Sequence, residues 1–240
     1  PDPASRLDYV LLTQRDFTRG LQPGKVSRAR KQQGNAFIGD EQSEYRSCNG
    51  SMQWLAGQTR PDAAASTSLL NKGNDTGVEE LDGMYDAMLY AQQTEEVGIR
   101  LSGIPLDVDS VLISYGDCSW ANVHDGKSQE GLMVVLTTEE CFKGKTPCSP
   151  MDWRSTRTPR VVRSTIAGEA NAADDVVDRA VFLNQFLTEI LYDEPATHLT
   201  PRLRHVHATD CKSLYDAVVA ENPNLEEKRL MVVIRSIQEY

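Results

Sequence analysis

The chain has 240 residues, 40% hydrophobic and 25% charged, an ordinary balance for a globular protein with room for one large domain or two small ones. No apolar run approaches the roughly 18 residues that span a bilayer, and the opening Pro1-Asp2-Pro3 is neither basic nor apolar, so no membrane anchor or secretory leader is expected. A formal charge of -10 weighs against extensive phosphate contact, although a local basic patch on an acidic domain suffices to dock a duplex. The first residue is not Met, which fits a piece of something longer. The five cysteines form no CxxC pair and no Cys/His cluster with zinc spacing, which points to free thiols in a reducing compartment.

Residues 1 to 43 are weakly patterned. Leu7, Val10, Leu11 and Leu12 make a short apolar patch, and residues 22 to 35 read as a loop in which Arg28, Arg30 and Lys31 are solvated. Residues 44 to 58 read as a helix, with Tyr45, Cys48, Met52, Leu55 and Ala56 at helical spacing. Asp62 is placed to cap an Ala-rich helix over 63 to 70. Residues 78 to 94 form another amphipathic helix through Leu81, Met84, Tyr85, Met88 and Leu89, followed by a strand at Ile99 and Leu101. The pattern then changes. Residues 111 to 115 (VLISY) and 132 to 137 (LMVVLT) read as strands, with further strands at Trp153 and at Val161-Val162. The longest helix is expected over 165 to 192, with Ala167, Ala170, Ala173, Val177, Phe182, Phe186 and Ile190 on one face. A strand over 203 to 207 and helices over 212 to 220 and 225 to 237 close the chain. This order predicts an α/β fold, a mixed sheet with flanking helices, preceded by a small, mainly helical subdomain.

Three carboxylates stand where sites gather. Asp117 follows the strand VLISYG, and reads as a turn cap or as a site residue at a strand end. Glu169 lies in the first turns of the long helix among Ile166, Ala170, Ala172 and Ala173; it reads as a favourable charge near a helix N-terminus or as an inward-pointing ligand. Asp210 precedes the helix KSLYDAVV and competes with Thr209 to cap it. Taken together they are compatible with divalent cations, which prefer hard oxygen ligands and activate water for attack on a phosphodiester.

The surrounding residues carry a resemblance. The stretches SYGDCSWANVHDGKSQEGLMVVL (114 to 136), DWRSTRTPRVVRSTIAGEANA (152 to 172), HATDCKSLYDAVV (207 to 219) and EEKRLMVVIRSI (226 to 237) resemble, in order, blocks of the ribonuclease H domain in copia-type LTR retrotransposon Pol polyproteins. EYRSCNGSMQWLAGQTRPD (44 to 62) resembles the segment that follows the reverse-transcriptase palm in those polyproteins. The resemblance implies a reverse-transcriptase C-terminal segment over 1–104 and a ribonuclease H-like domain over 105–240. It implies Asp117, Glu169 and Asp210 as metal ligands and catalytic residues for two Mg2+ ions, with Mn2+ able to substitute. Arg154, Arg157, Arg160 and Arg163 would follow the nucleic-acid backbone, or else form a solvated basic loop. The partners implied are an RNA–DNA hybrid and the rest of the polyprotein, with no membrane, in a cytoplasmic virus-like particle or the nucleus. Trp120 and Trp153 are expected to pack rather than stack on bases. His124, His198, His205 and His207 show no spacing that earns a role, and Asp216 and Glu226 read as surface charges.

Two departures matter. The family's fourth carboxylate, in an Asn-Pro-Ala-Asp-like context, is not found before Tyr240, so the domain is expected to be truncated. No Tyr/Phe-x-Asp-Asp polymerase motif occurs; the nearest doublet, Asp174-Asp175, falls inside the long helix, and no DNA synthesis is expected. The alternative to an endonuclease is an inactive remnant that keeps the fold and at most binds nucleic acid.

Overall fold

The computed structural model describes residues 9–104, 109–120, 126–159, 161–193, 195, 202–223, 225 and 227–240. Arg160, His124, His198 and Glu226, named above, lie outside the described residues. The chain divides into two compact units: Leu11–Ile99 with Arg154–Arg157, and Pro1–Val10, Arg100–Trp153 and Thr158–Tyr240.

The first unit is helical. Helices α1 (Arg15–Gly20) and α2 (Arg28–Lys31) precede α3 (Glu41–Gln58), α4 (Ala64–Leu69) and α5 (Val78–Gln93). The periodic residues of α3, Tyr45, Cys48, Met52, Leu55 and Ala56, are buried against Leu81, Met84, Tyr85 and Met88 of α5. Leu89 departs from the expected face and stays exposed. The segment expected as loop contains α2, capped by the Ser27 hydroxyl, which accepts the Arg30 N–H. Arg30 is not a solvated charge: it forks onto Glu41 at 2.7 Å and donates to the carbonyls of Gly34 and Ala36. Lys31 pairs with Asp82. Asp62 is not a helix cap. Its carboxylate holds Arg60, whose guanidinium is almost fully buried and also donates to the Thr94 carbonyl and hydroxyl. Burying a guanidinium is tolerable only with such a complete set of acceptors.

The second unit is a mixed sheet under helices. Strands β1 (Tyr9–Leu12) and β2 (Ile99–Ser102) pair as a two-stranded ribbon. The main sheet has the order β5-β4-β3-β6, built from β3 (Ser110–Ser119), β4 (Gln129–Thr138), β5 (Ser149–Arg157) and β6 (Arg204–Ala208). β3 runs antiparallel to β4, with Asp117 opposite Gly131, and parallel to β6, with Ser114 opposite His207. Helices α6 (Thr165–Tyr192), α7 (Lys212–Val219) and α8 (Lys228–Gln238) complete the unit. The residues Val161-Val162 form no strand. Among the described residues no helix is long and apolar enough to cross a membrane.

Helix α6 organises this unit. Its small residues Ala172, Val176 and Ala180 pack on Leu112, Cys118, Leu132 and Val134 of the sheet, and Ala167, Ala170 and Ala173 pack on α7 and α8. The expected face holds only as far as Val177; Phe182, Phe186 and Ile190 are exposed. The buried face continues through polar residues instead. Asn184 and Thr188 are each 2% exposed, because Asn184 clamps the backbone of Leu203, donating to its carbonyl at 2.6 Å and accepting its N–H at 3.2 Å. Thr188 donates to the Asn184 carbonyl and accepts the Arg202 N–H. That clamp fixes the entry to β6.

Two glycines let α6 lie this close to β3. A Cβ at Gly116 would sit 2.8 Å from the Ala172 carbonyl oxygen, and one at Gly168 would sit 2.7 Å from Cys118 Sγ. Real side chains do not approach so closely, so Gly116→Ala is expected to push the helix off the strand. Overpacking of this kind costs about 1–3 kcal/mol. Thermal unfolding of the variant should show that loss in the sheet unit while the transition of the helical unit stays put.

Candidate metal centre

The three carboxylates expected from sequence come together. One oxygen from each of Asp117, Glu169 and Asp210 lies within 4.8 Å of the others. Asp117 is not at a strand end as expected; it sits inside β3, two residues before its last residue, and its side chain is exposed. Asp210 reaches it by register. The last pair of the parallel ladder is Tyr115 with Ala208, and two residues beyond each lie Asp117 and Asp210. Parallel strands advance by the same rise per residue, so equal steps keep the two acids level. Neither Asp210 nor Thr209 caps α7 from its N-cap position, which Cys211 occupies without a side-chain bond to the helix backbone; the Thr209 hydroxyl accepts the Cys211 N–H at 3.1 Å. The Asp210 carboxylate therefore remains in the cluster.

Glu169 arrives from the other layer. Ser164 caps α6 by accepting the Ala167 N–H, and Glu169 follows in the second turn, next to the Gly168 that touches Cys118. Its Oε2 is buried and has no hydrogen-bond partner. Burial raises the Glu169 carboxyl to about 7, and the neighbouring charges of Asp117 and then Asp210 push the same way; the Cys118 backbone N–H opposes them. Burial also lifts the Cys118 thiol to about 11, so it is an uncharged neighbour rather than a thiolate ligand. Three carboxylates this close, one with an unsatisfied buried oxygen, form a hard oxygen donor set that suits a small divalent cation. A cation there would remove both the orphaned acceptor and the mutual repulsion.

The other expected residues are less concentrated. Arg163 is exposed and shares a cleft with Asn171 and Arg229, the last not singled out from sequence. Arg154 and Arg157 lie at the end of β5, in the part of that strand grouped with the helical unit. Trp120 is 49% exposed and tied down through its Nε1–H, which donates to the Val162 carbonyl at 3.3 Å. Asp216 is an exposed partner of Lys212. His205 and His207, given no role above, are held by a buried Ser114. The available signal was their i, i+2 spacing on a strand, which puts both rings on one face.

Fold and site together define a two-unit α/β chain with an acidic cluster suited to divalent cations. It is 26% identical over 141 residues to a protein described as secreted RxLR effector protein 161 of Plasmopara viticola, a match covering 58% of this chain and 90% of that one. No family model matches the chain, and no solved structure matches it.

Proposed function

We propose that the chain is a divalent-metal-dependent endonuclease that cuts the RNA strand of RNA–DNA hybrids, from a copia-type retrotransposon polyprotein. The carrying observation is the convergence of Asp117, Glu169 and Asp210 from a strand, a helix and a post-strand loop, with Glu169 Oε2 buried and unpartnered. The architecture supports a ribonuclease H-like fold: three strands, a long helix carrying the glutamate, then a strand parallel to the first that leads to the second aspartate.

In this reading Asp117, Asp210 and Glu169 would hold Mg2+ or Mn2+. A bound ion supplies a water of lowered pKa and offsets charge on the scissile phosphodiester. The three carboxylates orient that chemistry, and no Ser or His nucleophile takes part. The products are a 3′-hydroxyl and a 5′-phosphate. Recognition runs through backbone and 2′-hydroxyl groups rather than base sequence. Arg163 and Arg229 offer phosphate contacts beside the helix that carries Glu169.

A second reading is favoured by the similarity to the oomycete effector, which spans most of that protein's length. It is a non-catalytic module that keeps the fold and binds a partner. One assay separates the two. With labelled hybrid and Mg2+ or Mn2+, the first reading expects 5′-phosphate products from hybrid and none from duplex DNA, with cleavage abolished by a chelator. A folded chain that leaves the hybrid whole in both metals favours the second.

A further inference from the structure

Three polar side chains meet in the seam between β3 and β6, the two histidines half-buried. Ser114 is fully buried, and its Oγ lies 2.9 Å from His205 Nε2 and 3.0 Å from His207 Nδ1. Polar groups in a sheet interior are destabilising unless bonded to one another. A hydroxyl has one proton and two lone pairs, so Oγ can accept from both rings or donate to one of them while accepting from the other. With Nδ1 engaged by Ser114, a fully protonated His207 would carry an N–H at Nε2, which is buried without a partner.

Among the described residues, the side chains packed around the bridge in the sheet layer are apolar. Leu112 flanks Ser114 on the same face of β3, Val134 lies opposite it on β4, and the face of α6 toward the sheet is Ala172, Val176 and Ala180. On α6, Asp174 bonds Ser236 of α8 while its Oδ1 is buried without a partner, Asp178 accepts from Tyr240, Arg179 pairs with Asp152, and Glu169 stands in the carboxylate cluster. On β3 the same face carries Cys118, whose thiol burial keeps protonated. Burial lowers His205 to about 4, with His207 adding to the effect, and lowers His207 as well. His207 Nε2 is itself buried without a partner.

The position of the bridge connects it to the carboxylates. Ser114 stands three residues before Asp117, and His207 three residues before Asp210, on parallel strands in which Ser114 faces His207. β6 is the edge strand of the sheet, and β3 is its ladder neighbour. We propose that the His205–Ser114–His207 bridge is an acid-sensitive latch: it holds β6 against β3 so that Asp210 stands level with Asp117, and protonation of the rings releases β6 and opens the carboxylate cluster. The exposed level of the cluster is then set by a buried contact some distance from it. The functional consequence for cation binding rests on the proposed activity's metal site; the opening of β6 does not.

The sign follows from linkage. With β6 released, each ring titrates near its ordinary 6.5, whereas His205 in place titrates near 4. The released form therefore takes up protons that the latched form refuses. The latch is fully effective above pH 6.5 and weakens as pH falls toward 4. For one ring the open fraction rises about tenfold for each pH unit below 6.5.

Hydrogen exchange on the full chain tests this, with rates corrected for their intrinsic pH dependence. Between pH 7.5 and 5.5, protection over β6 is expected to fall at least tenfold while β4 and the buried half of α6 remain protected. The double variant His205→Gln, His207→Gln, whose amides do not titrate, is expected to lose that pH dependence. At pH 5.5 its Mn2+ affinity should exceed that of the parent by the inverse of the parent's latched fraction, which the exchange data supply. Loss of β6 protection together with β4, or an unchanged pH profile in the variant, overturns the latch. If the variant does not fold, NMR titration of the parent decides: a His205 ring pKa well below 6.5 supports the latch, and one at or above 6.5 overturns it. Failure of hybrid cleavage would sink the proposed activity and leave the exchange result standing.

Discussion

Glu169→Gln is expected to abolish hybrid cleavage without destabilising the protein. Removing a partner that merely orients a metal ligand lowers metal affinity or activity by about 10–100-fold, and removing a ligand should exceed that. The stability half of the expectation comes from the electrostatics. Glu169 is pushed up to about 7 by burial and by Asp117 and Asp210, so its ionised form is disfavoured in the fold. Gln keeps the shape and removes that strain. At pH 8 the variant should melt no lower than the parent, and cation should raise its melting temperature less. Asp117→Asn and Asp210→Asn are expected to act in the same direction, because each withdraws a charge that repels Glu169. A residue serving only as a helix-terminal charge would give the reverse pattern, a loss of stability with little change in cleavage. Glu169→Gln retaining a tenth or more of the parent rate would remove the glutamate from the metal centre.

How much of this was legible in the sequence varies with the kind of physics involved. Helices α3 and α5 follow from the 3.6-residue spacing of large apolar side chains, because two helices packed on each other bury bulky stripes. The length of α6 was legible, but its face was not beyond Val177. A search for bulky residues leads to Phe182, Phe186 and Ile190, while the packed face runs through Asn184 and Thr188. Those polar residues are buried because the backbone of Leu203 satisfies Asn184, a partner 19 residues away that no local pattern reveals. The carboxylates were legible as positions through the surrounding blocks, each alone being equally a cap or a turn residue. Their convergence depends on the parallel register of β3 with β6 and on Gly116 and Gly168 admitting the helix. A glycine chosen for close approach looks in sequence like any other glycine. Asp62 shows the opposite error: a good capping residue was claimed by a buried arginine, a stronger partner than a helix N–H.

The second large effect is expected from divalent cation, and its pH dependence is a signature of this site. At a hundred times its dissociation constant, a cation that binds only the folded state stabilises by about 2.7 kcal/mol. At roughly 2–4 °C per kcal/mol for a chain of this size, Mn2+ should raise the melting temperature of the sheet unit by about 5–10 °C at pH 8. The transition of the helical unit, which holds none of the three ligands, should not move. Without cation, Glu169 works against the fold as pH rises. Its folded value of about 7 lies above the ordinary 4.5, so the stability it contributes is complete below 4.5 and is lost as pH rises through 7. His205 contributes oppositely: with its folded value near 4 against 6.5, its stability is present above 6.5 and lost as pH falls toward 4. The two titrations overlap and offset one another in the cation-free protein. Saturating cation requires an ionised Glu169 and removes its share, so the histidine dependence should emerge as a steeper loss of stability below pH 6.5. Binding must also displace the Glu169 proton at pH 6. Calorimetry at pH 6 in two buffers of different ionisation enthalpy should therefore register close to one proton released, falling toward none at pH 8. Equal release at both values would mean that the cation does not engage Glu169, and the carboxylates would then be neighbours without a shared ion.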